Sequence, residues 1–158
     1  MTMAEKASPI PEGYRTVTPY IVVKGAAEAL DFYAKAFGAE EVVRMPGPGG
    51  SVMHAEVKIG DSILMLSDEF ADWGQLGPIS RGGTTCTMML YVENCDAAFQ
   101  RAVDAGCTVT AAPKDEFWGD RFAKVTDPFG HQWALATHIE DVSPEEMAKR
   151  MAAMGMGG

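Results

Sequence analysis

The sequence predicts an α+β fold made of two tandem βαβββ modules. Three observations carry that prediction. The first is a repeat: Tyr20-Ile21-Val22-Val23-Lys24-Gly25 is answered 69 residues later by Met89-Leu90-Tyr91-Val92-Glu93-Asn94, and Leu64-Met65-Leu66 is answered at the same distance by Trp133-Ala134-Leu135. The second is the order inside each copy, which runs from a β-branched and aromatic strand through an amphipathic helical pattern to three more strand-like runs. The third is the stretch from Trp118 to Ala136, which reads as a β-hairpin. Phe122 to Thr126 alternates bulky and small or polar residues. Asp127-Pro128-Phe129-Gly130 then turns, with φ fixed at Pro128 and a glycine able to take φ > 0, and Gln132 to Ala136 resumes an apolar strand. A weaker copy of this hairpin spans Val52 to Ser67.

Taken in order, residues 1–13 hold Pro9, Pro11 and Gly13 and suit a flexible, extended arm. The first module covers residues 14–68. Its strand Thr16 to Val23 leads through Gly25 into a helix whose one face is Ala26, Ala29, Leu30, Tyr33 and Phe37, with Gly38 as its stop. Strands follow at 39–45, Ser51 to Ile59 and Ser62 to Ser67, separated by a Pro/Gly loop at 46–50 and by Gly60-Asp61. Residues 69–84 hold the chain breakers Gly74, Gly77, Pro78, Gly82 and Gly83 and no sustained period, and read as a linker. The second module, residues 85–140, repeats the order: strand Thr85 to Val92, helix Cys95 to Ala105 stopped by Gly106, strand Cys107 to Ala111, a loop from Ala112 to Phe117, and the hairpin. Residues 141–158 form a C-terminal amphipathic helix and tail. Ser143-Pro144-Glu145-Glu146 is a capped helix start, and Met147, Met151 and Met154 make an apolar stripe for packing on this body or on a second chain.

Composition narrows the function. With 22 acidic residues against 13 basic ones, a net charge of -9 leaves no Lys/Arg cluster to neutralise phosphates, so nucleic acid is not an expected partner. No apolar run reaches the roughly 20 residues that span a bilayer, and Met1 to Lys6 lacks a signal-peptide core, so the expectation is a cytoplasmic protein with no membrane partner. Cys86, Cys95 and Cys107 are odd in number and show no Cys-x-x-Cys spacing, so they imply neither a disulfide framework nor a zinc site, and at least two of them read as buried, inert thiols.

Two groups of residues can carry chemistry. His54 and Glu56 stand two apart on a strand and so point to one face, either as an acid/base or metal pair or as two solvated polar side chains. Trp118, Arg121 and Phe122 sit at the start of the last hairpin. They read as an aromatic wall with one guanidinium for a planar or anionic molecule, or as a loop anchor with Arg121 paired to Asp120 or Glu116. Trp73 suits a lid or an interface, Trp133 suits packing beneath a helix, and His131 and His138 read as turn and strand-end residues. No Gly-rich phosphate loop follows a strand, and no serine stands in a nucleophile motif.

The wording TPYIVVKGAAEALDFYAKAFGAEE, HAEVKIGDSILMLSDE and FWGDRFAKVTDPFGHQWALATH resembles the vicinal oxygen chelate superfamily of glyoxalases, bleomycin-resistance proteins and extradiol dioxygenases, and its PhnB-like branch in particular, over residues 14–140. The resemblance implies that each module curls into half of an open-barrel cup, in homodimers that exchange modules. It also implies metal ligands on the first and last strands of each module, which fall near Thr18, Thr87, Met65 and Ala134. None of these is a metal ligand of useful affinity. The expected function is therefore binding of a small organic molecule in an aromatic-lined cup by Trp118, Arg121, Phe122, His54, Glu56 and Trp73, with no cofactor. The alternative is a divalent-metal lyase, isomerase or dioxygenase whose ligands have moved to His54 and Glu56.

Overall fold

The computed structural model describes residues 6–156. The chain divides into two compact units, residues 1–81 and 82–158. In the first, β1 (Tyr20–Val23), α1 (Ala26–Phe37), β2 (Glu40–Pro46), β3 (Val52–Ile59) and β4 (Ser62–Asp68) form a four-stranded sheet in the order β1-β4-β3-β2. β1 runs parallel to β4, and the other pairs are antiparallel. A 3-10 turn at Ala71–Trp73 and a single helical turn, α2 (Pro78–Arg81), complete the unit. The second unit repeats it as β5 (Thr87–Tyr91), α3 (Cys95–Ala105), β6 (Thr108–Asp115), β7 (Asp120–Thr126) and β8 (Gln132–His138), in the order β5-β8-β7-β6, followed by α4 (Pro144–Ala153). The two βαβββ modules read from the sequence are thus present.

Local chemistry explains the element ends. Asp68, at the end of β4, accepts hydrogen bonds on Oδ1 from the Gly25 and Ala26 N–H groups at 2.9 and 2.8 Å. Its Oδ2 accepts from the Val52 N–H at 2.7 Å, so one carboxylate ties the start of α1 to the start of β3 and opposes the helix dipole. α1 stops at Gly38, whose φ of 69° takes the left-handed turn that a side chain would resist. α3 is capped by Asn94, which accepts from the Ala97 N–H at 3.0 Å, and α4 by Ser143, which accepts from the Glu146 N–H.

Each sheet has a helix on one face. In the first unit Ile21, Val23, Val57, Leu64 and Leu66 are buried together with Ala29, Leu30 and Tyr33 of α1. In the second, Met88, Ala123, Val125, Trp133 and Leu135 are buried together with Cys95 and Ala102 of α3. Each large apolar side chain so buried stabilises the fold by about 1.5–3 kcal/mol relative to exposure.

Three expectations need correction. β1 begins at Tyr20 rather than Thr16, because Pro19 lacks an N–H for the ladder. The stretch read as a loop at 112–117 is strand as far as Asp115: Pro113 is tolerated because β6 is an edge strand and a register shift between Ala111 and Lys114 leaves it out of the pairing. The linker is not structureless, since the Gly77 N–H bonds Glu69 Oε1 at 2.8 Å and the Arg81 guanidinium bonds the Gly74 carbonyl at 2.7 Å. In α4, Met147 and Met151 are half-buried and Met154 is exposed; the helix is anchored chiefly by Arg150, which bonds Glu140, Glu146 and the Phe117 carbonyl.

Candidate functional site

Strand alternation in the first unit turns Ala55 and Val57 of β3 toward the helix side and leaves His54 and Glu56 on the other face. Register places Glu56 beside Met65 of β4, and Met65 beside Tyr20 of β1. The side chains on that face form one hydrogen-bonded chain. Tyr20 Oη lies 3.0 Å from His54 Nδ1, and His54 Nε2 lies 2.7 Å from Glu56 Oε2. The Tyr14 hydroxyl, just after the N-terminal arm, donates to Glu56 Oε1. Burial alone would raise the Glu56 carboxyl, but the hydrogen bonds from Tyr14 and His54 outweigh it and hold the group below the ordinary glutamate range. Conversely, donating to Glu56 pushes the Tyr14 hydroxyl upward.

In front of this chain lies an open cavity of about 410 Å³. Glu56, Met65, Thr18 and Tyr14 line it, with Ile10 and its flanking prolines as a wall. Pro9, Ile10 and Pro11, in the segment read as a flexible arm, therefore line the cavity, while residues 1–5 of that segment lie outside the described residues. Glu56 is only 8% exposed there.

The second unit holds a different cluster on the matching face. Asp120, 2% exposed, accepts on Oδ2 from the Tyr91 hydroxyl and the Trp118 indole N–H, each at 3.0 Å. Its Oδ1 lies 2.8 Å from His138 Nδ1, and His138 Nε2 lies 2.7 Å from Asp141 Oδ1. Burial pulls the Asp120 carboxyl up, but the hydrogen bonds from His138, Tyr91 and Trp118 bring it below the ordinary aspartate range. His138 is raised, by Asp141 first and Asp120 second.

Of the residues singled out by sequence, His54 and Glu56 meet each other directly and Glu56 faces the cavity. Trp118 and Phe122 meet edge to face with ring centres 5.7 Å apart. Arg121 does not pair with Asp120 or Glu116, because alternation along β7 turns Asp120 and Arg121 to opposite faces. Its guanidinium instead grips Asp96, in the first turn of α3, through two bonds of 3.0 Å, and reaches Asp115 at 2.9 Å. Trp73 stacks on Phe70 and is largely exposed. Trp133 is fully buried, and His131 is buried at the turn. Sequence reasoning missed Tyr14 and Tyr20, for which the only local signal was a tyrosine directly after a Pro/Gly-rich arm and one at a strand start.

The metal sites that the resemblance implies can be tested on their donors. Thr18 and Met65 both line the cavity, and Met89 is the register partner of Ala134 while Thr87 pairs with Gln132. Two hydroxyls, a thioether and a methyl group do not fit a divalent metal. Among the described residues, no group of three or more His, Cys, Asp or Glu side chains is placed to hold a metal ion, and no helix is long and apolar enough to cross a membrane.

Duplicated βαβββ modules, each with a four-stranded mixed sheet and one packed helix, define an α+β protein of the glyoxalase/bleomycin-resistance fold. The profile of the Glyoxalase/Bleomycin resistance protein/Dioxygenase superfamily matches residues 15–135, and the chain belongs to that superfamily. An uncharacterized protein of Mycobacterium tuberculosis (strain H37Rv) is 43% identical over 144 residues, covering 89% of this chain and 85% of that protein. Among solved structures, TnmS3, an antibiotic binding protein from Streptomyces sp. CB03234, superposes with a TM-score of 0.58 at 26% identity over 77% of this chain and 93% of its own. The PhnB protein from Bacillus cereus shares the fold with a TM-score of 0.60 at 16% identity, over 78% of this chain and 99% of its own.

Proposed function

We propose that this chain is a PhnB-like, metal-free binding protein that holds a small organic molecule in the cavity in front of Glu56. The observation that carries this reading is the cavity itself. Its volume of about 410 Å³ lies in the range of small-molecule sites, and it sets an apolar wall of Ile10, two prolines and Met65 against one buried carboxylate. The superfamily supports it, since TnmS3 is an antibiotic binding protein of the same fold. The unsuited donors at Thr18, Thr87, Met65 and Ala134 support the metal-free part. Trp118 and Phe122 are proposed as an aromatic contact surface of the second unit, with Arg121 holding the start of β7 against α3 beneath it. Trp73 is proposed as an apolar contact offered by the first unit.

The test is a small-molecule screen by thermal shift on untagged protein, because a ligand that binds only the folded form raises the midpoint. Compounds that raise it in wild type and fail in Met65→Trp, which fills the cavity, support the reading; compounds that act equally on both refute it. The second reading, metal-dependent lyase, isomerase or dioxygenase activity through His54 and Glu56, rests on the 2.7 Å contact of those two donors at the cavity. It requires stoichiometric zinc, nickel, iron or manganese in protein purified without chelator or His-tag, lost in His54→Ala.

We also propose a homodimer, on the exposed Val42, Val43 and Met45 of edge strand β2. Light scattering at twice the 16.9 kDa chain mass is the expected result, and a monomer mass refutes it.

A further inference from the structure

We infer that the cavity selects organic cations: molecules whose protonated amine bonds Glu56 while an apolar body lies against Met65, Ile10 and the arm prolines. This rests on the binding reading above and adds the chemical class of the ligand.

Charge at the cavity base comes first. An ionised carboxylate has about four lone-pair sites, and the Tyr14 hydroxyl and His54 Nε2 occupy two of those on Glu56. Both ring nitrogens of His54 are engaged, Nδ1 by the Tyr20 hydroxyl at 3.0 Å and Nε2 by Glu56 Oε2 at 2.7 Å. The Glu56 carboxylate, 8% exposed, faces the cavity. Its hydrogen bonds favour the ionised form, so the charge persists at neutral pH.

Among the described residues, no lysine lines the cavity. Arg15 does, but it is exposed, and its guanidinium donates to the Tyr14 carbonyl at 3.3 Å. An ammonium entering the site replaces Tyr14, a neutral donor on Oε1, with a charged one, and charge-assisted hydrogen bonds are about twice as strong as neutral ones. An anion meets the Glu56 charge in a partly desolvated site and is disfavoured. The repeat sharpens the point. Glu56 stands opposite Met65, and in the second sheet Lys124 stands opposite Ala134, so the duplicated position carries the opposite sign.

The experiment uses three probes with the same two-ring body: 1-naphthylmethylamine, 1-naphthylmethanol and 1-naphthoate. Each is titrated at neutral pH into full-length protein labelled at the methionine methyls, and the Met65 methyl shift reports occupancy of this cavity. The amine is expected to bind about tenfold tighter than the alcohol, with naphthoate the weakest. Glu56→Gln is expected to erase the amine–alcohol difference, and Tyr14→Phe to keep or enlarge it. Should Glu56→Gln fail to fold, the wild-type and Tyr14→Phe contrasts decide. Equal binding of amine and alcohol with a Met65 shift overturns the cation class and leaves small-molecule binding standing. No Met65 shift with any of the three probes overturns the class as well, while the screen with Met65→Trp separately decides whether the cavity binds at all.

Discussion

The turn at the centre of the last hairpin gives a prediction with a calculable size. Asp127, 4% exposed, accepts on Oδ1 from the backbone N–H groups of Phe129 and His131 at 2.8 and 3.0 Å, and on Oδ2 from the Trp133 indole at 2.9 Å. Asp127→Ala removes the acceptor from all three donors. Each buried donor so deprived costs about 1–3 kcal/mol, but the Phe129 N–H sits in a half-buried turn and regains water, so the expected loss is about 4 kcal/mol rather than the full sum. Asp127→Asn keeps an amide oxygen for the two backbone donors and sets its NH₂ against the indole N–H, donor facing donor, for a loss of about 2 kcal/mol. Urea unfolding followed by tryptophan fluorescence and circular dichroism measures both. A loss in Asp127→Asn as large as in Asp127→Ala, or a loss below about 0.5 kcal/mol in either, refutes the assignment of this carboxylate as the turn's organiser.

Other substitutions test neighbouring inferences. Gly119 has φ +103°, and a Cβ there would lie 2.2 Å from the Glu140 carbonyl oxygen, so Gly119→Ala should cost more than about 3 kcal/mol, whereas Gly82→Ala, with positive φ and open space, should cost about 1. His138, raised by Asp141 and Asp120, contributes stability that is complete below the free histidine value of 6.5 and lost as pH rises through its higher folded value. His138→Gln should therefore lower the melting midpoint more at pH 6 than at pH 9, and equal losses would contradict the contacts. The thiols of Cys95 and Cys107 are buried, the latter pushed up to about 12 chiefly by that burial, while Cys86 is exposed. Ellman's reagent should find one fast thiol in native protein and three in denaturant; two fast thiols would contradict this packing.

The fold was legible because its signals are local. Period-2 runs, helical stripes ending at Gly38 and Gly106, and the Asp-Pro-Phe-Gly turn each specify an element without reference to the rest, and the repeat gave their order. The sequence misread β6 because Pro113 breaks a central strand but not a bulged edge strand. His54 and Glu56 were placed on one face by the same period, and they do touch. Tyr14 was not foreseen: its bond to Glu56 closes 42 residues of chain, and nothing local marks that the tyrosine after the arm will reach back to that strand. Arg121 shows the converse limit. Its neighbours in sequence, Asp120 and Glu116, were the obvious partners, yet its bonds go to Asp96, 25 residues away, and Asp115. Alternation already ruled out Asp120, and applying it to that residue would have turned Arg121 away from Phe122.

The central claim is that this member of the superfamily binds an organic molecule at Glu56 without a metal. A titration of 1-naphthylmethylamine into protein dialysed against EDTA, with the Met65 methyl resonance as the readout, tests it most directly. The account predicts a saturable Met65 shift, the same before and after EDTA, and a Met65→Trp protein, its cavity filled, whose thermal midpoint the amine no longer raises. Binding that appears only when zinc, nickel, iron or manganese is restored would contradict it.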